Sequence, residues 1–407
     1  MTTPDYQQAL GRKIAAERRR RGLSQSELAR MIDRSVAWVS QVERGTRKVD
    51  RMSVLETLAT ALDIPLAQLA AEAPVVAAVT EEAPGAAGLR LVLSGVYSLH
   101  ALLNGSHRPA AMTRLRTKTS QAWELTHGGR YAELAGLLRG LIPDLETAVR
   151  ILPEDQRADA AELLATAYQA CSAALAKVSE PEAAWIAADR AMAAAERTGK
   201  PLLIAAGAYR LVFVFLAARH YDQAEETART TADALAHLAG GDDLQAVSLW
   251  GGLTLQRAII AARLNDPDAA YGHLEQASQA AARMGEGRND YNTEFGPANV
   301  ALHEIAVAVE LGDAGRALRT AAAIDASGLS AERRARMLID IARAHAQRRQ
   351  ASEAIAALRQ AEDITPEQIR AHSQVRQLVS DLMAMQDPPS SELRDLAERV
   401  DASRLPI

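Results

Sequence analysis

The sequence holds one cysteine, Cys171, in 407 residues. No internal disulfide can form, which suits a reducing compartment, and the thiol itself reads as a small buried apolar side chain. Aromatic residues are scarce, at 4%. A chain poor in rings and rich in alanine packs helix closely on helix, so an all-α fold is expected. There is no Gly-rich phosphate loop and no HExxH or CxxC spacing, and Cys171 has no histidine partner close in sequence. No catalytic residue, metal or cofactor is therefore expected, and the chain is read as not an enzyme. An apolar run fit for a bilayer is missing too. The stretch LLIAAGAYRLVFVFLAA (202–218) comes nearest, but Arg210 sits near its centre and polar helices flank it. The N-terminal MTTPDYQQALGRK lacks the apolar segment of a signal peptide. A cytoplasmic protein with no membrane partner is expected.

The length calls for two or more domains and allows a large core without metals or disulfides. Charge is unevenly spread. Residues 1–72 carry 12 Lys/Arg against 9 Asp/Glu, and the remainder 34 against 42. A small basic head on an acidic body suggests that the head meets a polyanion, although its run Arg18-Arg19-Arg20-Arg21 taken alone fits a solvated helix end.

Within the head, residues 6–21 have a helical pattern ended by Gly22. SQSE (24–27) is a capping box, with Ser24 as cap and Glu27 reaching back. The helix it opens runs to about Ile32, and Asp33-Arg34-Ser35 makes a turn. Ser35 caps a third helix that stops at Gly45, a natural residue just past a helix end. RMSVLETLATALD (51–63) makes a fourth helix, and Pro65 opens a fifth, PLAQLA. At about 100° per residue, Val39 and Val42 point to one side of the third helix. Val36, Ala37, Ser40, Gln41 and Arg44 point to the other.

Two short helices joined by a tight turn inside a five-helix unit have helix-turn-helix spacing. The pattern Gly22-Leu23-Ser24-Gln25, Glu27-Leu28-Ala29, Val39-Ser40-Gln41-Val42-Glu43-Arg44-Gly45, Arg47 and Leu58-Ala59 with Leu62 resembles the phage-repressor (Cro-type, XRE) class of DNA-binding domain. The resemblance implies that Gln25 and Ser35 contact phosphates, and that Val36, Ala37, Ser40 and Gln41 face bases. It also implies that Arg44, Thr46, Arg47 and Lys48 set register on the backbone, with Glu43 a structural residue paired with Arg18. Well-known readers of this class carry glutamines at the first two base-facing positions. Val36 and Ala37 can offer only apolar contact there, for instance to a thymine methyl. Gln41 is the side chain able to bond adenine bidentately, so part of the specificity is expected from DNA shape. Trp38 falls on the border, either covering the rim of the small core or donating its indole N–H to a phosphate.

Residues 73–88 are rich in alanine, proline and glycine and lack an apolar face, so they read as a linker, followed by a helix over 89–103. Beyond them the sequence repeats. GRYAEL (129–134), SEPEAA (179–184), RHYDQA (219–224), NDPDAA (265–270), GDAGRA (312–317) and RQASEA (349–354) each open the second helix of a pair. Their spacing marks an α-solenoid in which stacked pairs bury the stripe that no pair can bury alone. Alanines such as Ala224, Ala270, Ala317 and Ala354 allow close approach. TPEQIRAHSQVRQLVSDLMAMQ (365–386) is expected to be one terminal capping helix. The pattern resembles degenerate tetratricopeptide repeats. The whole chain resembles actinobacterial-type regulators that join an XRE domain to such a solenoid, and EFGPANVALHEIAVAVELGDAGRAL (294–318) resembles a stretch recurring among them. The architecture is similar to that of the peptide-pheromone receptor regulators of Gram-positive bacteria.

The expected organisation is a DNA-binding domain over 1–72, a linker with one helix over 73–112, and a solenoid for sensing and dimerisation over 113–402. Polar and aromatic residues on inner helices are candidates to hold a peptide or small-molecule effector: Tyr209, Arg210, Trp250, Gln256, Asn292, Phe295, Asn299 and His303. Each also has a plain structural reading, Arg210 as half of an interior ion pair, Trp250 as core, His303 as a satisfied histidine. The expected function is a sequence-specific transcriptional regulator that binds double-stranded DNA, a palindromic operator, as a homodimer and responds to a ligand. The alternative is a DNA-binding scaffold whose solenoid binds a partner protein.

Overall fold

The computed structural model describes residues 3–21, 23–47, 49, 52–62, 85–94, 110–285, 288–386 and 388–400. Lys48, the fifth helix expected at 65–70, the linker stretch 73–84 and the helical stretch 95–103 lie outside them. The described residues form helices and no strand. The chain divides into two compact units, Met1–Glu81 and Glu82–Ser403.

The first unit holds α1 (Thr3–Arg20), α2 (Gln25–Met31), α3 (Val36–Glu43) and α4 (Met52–Leu62). Its local signals act as the sequence suggests. The Glu27 amide donates to Ser24 Oγ at 3.2 Å while the Ser24 amide donates to Glu27 Oε2 at 2.7 Å, and the Trp38 amide donates to Ser35 Oγ at 3.1 Å. Helix α3 stops in a Schellman turn. Gly45 takes φ 70, its amide donates to the Val42 carbonyl, and the Thr46 amide donates to the Gln41 carbonyl. Leu10, Ile14, Leu28, Val39, Val42, Leu58 and Leu62 form the core. Gly11 lets α1 press on the end of α3, where an added Cβ would stand 2.3 Å from the Val42 carbonyl oxygen.

The second unit begins with α5 (Ala86–Val92). The helix starts inside the stretch expected to be linker, because Ala86, Leu89 and Val92 give it a buried face against the helix Tyr131–Ile151. Gly85, at φ 97, lies so close to the Tyr131–Ala132 peptide that a Cβ would meet it at 2.6 Å. Six pairs follow: α6 (Met112–His127) with α7 (Tyr131–Ile151), α8 (Glu154–Lys177) with α9 (Pro181–Glu196), α10 (Pro201–Ala217) with α11 (Tyr221–Gly240), α12 (Leu244–Arg263) with α13 (Pro267–Ala281), α14 (Pro297–Glu310) with α15 (Ala314–Ala323), and α16 (Ala331–Gln347) with α17 (Ala351–Ile364).

The six sequence motifs adopt one conformation. The first residue of each is left-handed, at φ 68, 61, 62, 59, 80 and 58 for Gly129, Ser179, Arg219, Asn265, Gly312 and Arg349. The next amide always donates to the carbonyl five residues back, from Arg130 to Leu125 through Gln350 to His345, at 2.8–3.0 Å. The third residue starts the new helix in every case, and the sixth (Leu134, Ala184, Ala224, Ala270, Ala317, Ala354) is fully buried. Helix pairing is thus set by one repeated Schellman turn plus one buried small or apolar residue.

The expected single capping helix is broken. Residues 365–386 form α18 (Pro366–Ala371) and α19 (Ser373–Met385), with His372 extended between them at ψ 118, and α20 (Ser391–Arg399) follows. The break folds α18 back onto the start of the array. The Ala132 amide donates to Glu367 Oε2 at 2.9 Å, the Ser373 amide donates to Ser179 Oγ at 3.1 Å, and Lys177 pairs with Glu332. The array therefore closes on itself around an interior space.

Candidate nucleic-acid interface and interior cavity

On α3, Val39 and Val42 are 1% and 2% exposed, whereas Val36 is 47% exposed. Ala37 and Arg44 are exposed with it, and Ser40 and Gln41 are half-buried. The outward face is thus one small apolar patch followed by polar and cationic side chains. Arg47 Nη1 donates to Gln41 Oε1 at 3.2 Å, and Thr46 Oγ1 donates to the Gln41 carbonyl at 3.0 Å, so two residues of the turn after α3 brace its glutamine. Trp38 is half-buried beside the core, with the Arg34 guanidinium 6.0 Å from its ring centroid. Arg18 donates to Glu43 from Nε at 2.5 Å and from Nη2 at 2.9 Å, as the sequence resemblance implies, and Gln25 Nε2 donates to the same carboxylate at 2.8 Å. Burial would push the Glu43 carboxyl up, but the bonds from Arg18 and Gln25 outweigh it and hold the group below its ordinary range.

In the second unit, Tyr209 and Arg210 lie on α10, Trp250 and Gln256 on α12, and Asn299 and His303 on α14. Most of the candidate effector residues pack on one another. Phe295 is buried against Gly251, where an added Cβ would sit 2.0 Å from its ring. Tyr209 stacks edge-on with Phe213, and Trp250 is half-buried among core residues. His303 Nδ1 lies 2.8 Å from the Asn299 carbonyl and its Nε2 is 3.2 Å from Gln256 Nε2. Burial first, then Arg336 and Arg333, push the His303 imidazole far below its ordinary value, so it is neutral. Nδ1 then donates to the carbonyl and Nε2 accepts from the glutamine.

Arg210 acts as a clamp. Its guanidinium lies 4.6 Å from the Trp123 ring centroid and 4.9 Å from that of Tyr209, and Nη2 donates to the carbonyls of Tyr291 and Asn292 at 3.0 and 2.9 Å. Those carbonyls belong to a strained segment in which Tyr291, Asn292 and Glu294 all have positive φ. Arg333 grips the same segment, pairing with Glu294 at 3.2 Å. Asn292 and Arg210 border a small cavity of about 40 Å³ that Lys177 and Glu332 also line.

A far larger cavity, about 750 Å³, opens at the C-terminal ends of the first helices of the pairs. Of the expected effector residues, Gln256 lines it. Half of its charged lining comes from residues of the last helices that sequence reasoning missed, Arg336, Asp340 and Arg343 on α16 and Arg376 on α19, beside Lys177, Arg219, Arg263 and Glu310. A signal existed: Arg333, Arg336, Asp340 and Arg343 recur at helical spacing on α16, where an ordinary solenoid helix would present an apolar stripe. Cys171 is fully buried, and burial pushes its thiol up to about 12, which leaves it inert.

Residues 9–71 match the family described as a helix-turn-helix domain. No curated protein matches the chain. Among solved structures, the chain is similar to PlcR of Bacillus thuringiensis, crystallised in complex with the peptide PapR7 and DNA. Identity is 14%, the match covers 68% of this chain and 95% of that one, and the TM-score is 0.26. By the family match, the first unit carries a helix-turn-helix domain, the type of unit that binds DNA. Among the described residues no helix is long and apolar enough to cross a membrane.

Proposed function

We propose that the protein is a cytosolic, ligand-responsive regulator that lays α3 in the major groove. The observation carrying this reading is the outward face of Val36, Ala37, Ser40, Gln41 and Arg44, exposed or half-buried, on a helix whose opposite face is buried. In this reading Gln41 reads adenine, and Val36 and Ala37 meet thymine methyls. Gln25, Ser35, Trp38, Arg44, Thr46, Arg47 and Lys48 contact the backbone. A homodimer on a palindromic operator gives two half-sites about one helical turn apart. The second unit, a tetratricopeptide-like array, takes a small molecule or peptide in its interior cavity, whose volume suits a ligand of that class. A gel shift of Gln41→Ala against the parent at fixed salt tests the reading helix; unchanged sequence preference removes Gln41 as a base reader.

A protein-binding scaffold is the second reading, favoured by Trp185 and Ile186, which stand 42% and 49% exposed on α9. Pull-down with Trp185→Ala separates the two.

A further inference from the structure

The interior cavity carries a surplus of cations. Six Lys/Arg side chains line it against two carboxylates, Glu310 and Asp340, although the chain beyond residue 72 is acidic overall. Several of these cations have structural employment. Lys177 and Arg263 are the last residues of α8 and α12, where a cation complements the helix dipole. Lys177 also pairs with Glu332 and Arg263 lies 3.7 Å from Glu310. Arg343 is held by Glu310 at 3.2 Å and by Asp340 at 3.1 Å.

Arg219 is exposed, which leaves Arg336 and Arg376. Among the described residues neither side chain has an ion-pair or hydrogen-bond partner, and both are half-buried in the cavity wall. Asp340, one turn along α16 from Arg336, is engaged by Arg343. Arg376 stands near the N-terminus of α19, the helix end that disfavours a cation. Burial pushes the Arg336 guanidinium below its ordinary value, so the ligand-free cavity destabilises the charge it holds. His372, between α18 and α19, adds a buried Nδ1 with no partner. The same cavity is also lined by the apolar side chains of Phe213, Leu216 and Ile259.

We infer that the cavity binds a small organic anion whose phosphate or carboxylate group pairs with Arg336 and Arg376 while its body lies against Phe213, Leu216 and Ile259. This rests on the reading of the second unit as a sensor. Unpaired guanidinium groups beside low-dielectric walls attract an anion strongly, and their fork geometry accepts phosphate or carboxylate bidentately. The anion adds a countercharge in direct contact, beyond the longer-range attraction that Asp340 and Glu332 exert on Arg336.

The test is thermal unfolding of the full chain with inorganic pyrophosphate, with citrate, and with an acetylated, amidated trialanine, at ionic strength matched with sodium chloride. Pyrophosphate or citrate should raise Tm by about 5 °C at roughly a hundredfold excess over the dissociation constant. The arm that responds identifies phosphate or carboxylate. R336Q should abolish that rise while leaving the ligand-free Tm equal or higher, because it removes an unpaired cation; R376Q should behave alike. No rise above the salt control, an undiminished rise in both variants, or a lowered ligand-free Tm in both overturns the inference. Binding to a labelled DNA fragment separates the two readings. If the neutral peptide binds and changes DNA affinity while the anions do neither, the anion assignment fails and sensing stands. If an anion binds without changing DNA affinity, the anion site stands and sensing fails.

Discussion

The Arg18 guanidinium grips the Glu43 carboxylate with two parallel hydrogen bonds, tying α1 to the last turn of α3. Both side chains are nearly buried, at 11% and 6% exposure. Glu43→Gln leaves a buried cation without its countercharge and should cost the first unit about 3 kcal/mol. The double change Arg18→Met with Glu43→Leu should cost less than either single change. Because the folded Glu43 carboxyl lies below its ordinary range, its contribution is present at neutral pH and is lost as pH falls through the folded value. Hydrogen exchange of the α1 and α3 amides, read against pH, checks both statements.

Gln41→Ala and Arg44→Ala should differ in kind. Loss of the glutamine should weaken discrimination at one base by about 1–3 kcal/mol and leave the salt dependence alone. Loss of the arginine should weaken binding across sequences and reduce the salt slope by about one. Titrations on two DNA sequences at two salt concentrations resolve the difference.

Gly251→Ala drives a methyl into the Phe295 ring. The segment held by Arg210 and Arg333 must then shift, and destabilisation of about 1–3 kcal/mol is expected. Gly272→Ala, with nothing within 4 Å, is the control. Urea unfolding of the two variants should separate them clearly.

His372 is held neutral, pushed down to about 3 by burial and then by Lys177 and Arg336. A folded value below the unfolded 6.5 means that its contribution is complete above 6.5 and is lost as pH falls toward about 3. Tm should decline across that window, and His372→Gln should flatten the decline. An identical slope in parent and variant assigns the acid sensitivity elsewhere, with His303 the next group to replace.

Much of the architecture was legible because its signals are local. A cap, a capping box and a glycine past a helix end act within a few residues, so α2, α3 and their turns follow from SQSE, Ser35 and Gly45. The six helix-opening motifs were legible too, since one turn recurs and requires one small or apolar residue at its sixth position. Two local readings failed where packing intervened. Gly85 docking on the Tyr131–Ala132 peptide starts α5 inside the expected linker, and His372 divides the expected capping helix.

What the sequence by itself determined was an all-helical chain, a helix-turn-helix head and a body of paired helices. The two-sided character of α3 belongs with these, because helical periodicity assigns a face without knowledge of the neighbour. The tertiary structure decided what each interior polar group does. Tyr209 and Phe295 pack into the core and His303 bonds Asn299 and Gln256, whereas Arg336 and Arg376, unremarked on their own helices, come to wall one cavity. That meeting depends on closure of the array through Ala132 with Glu367 and Ser179 with Ser373, contacts between residues some two hundred positions apart that no local pattern encodes.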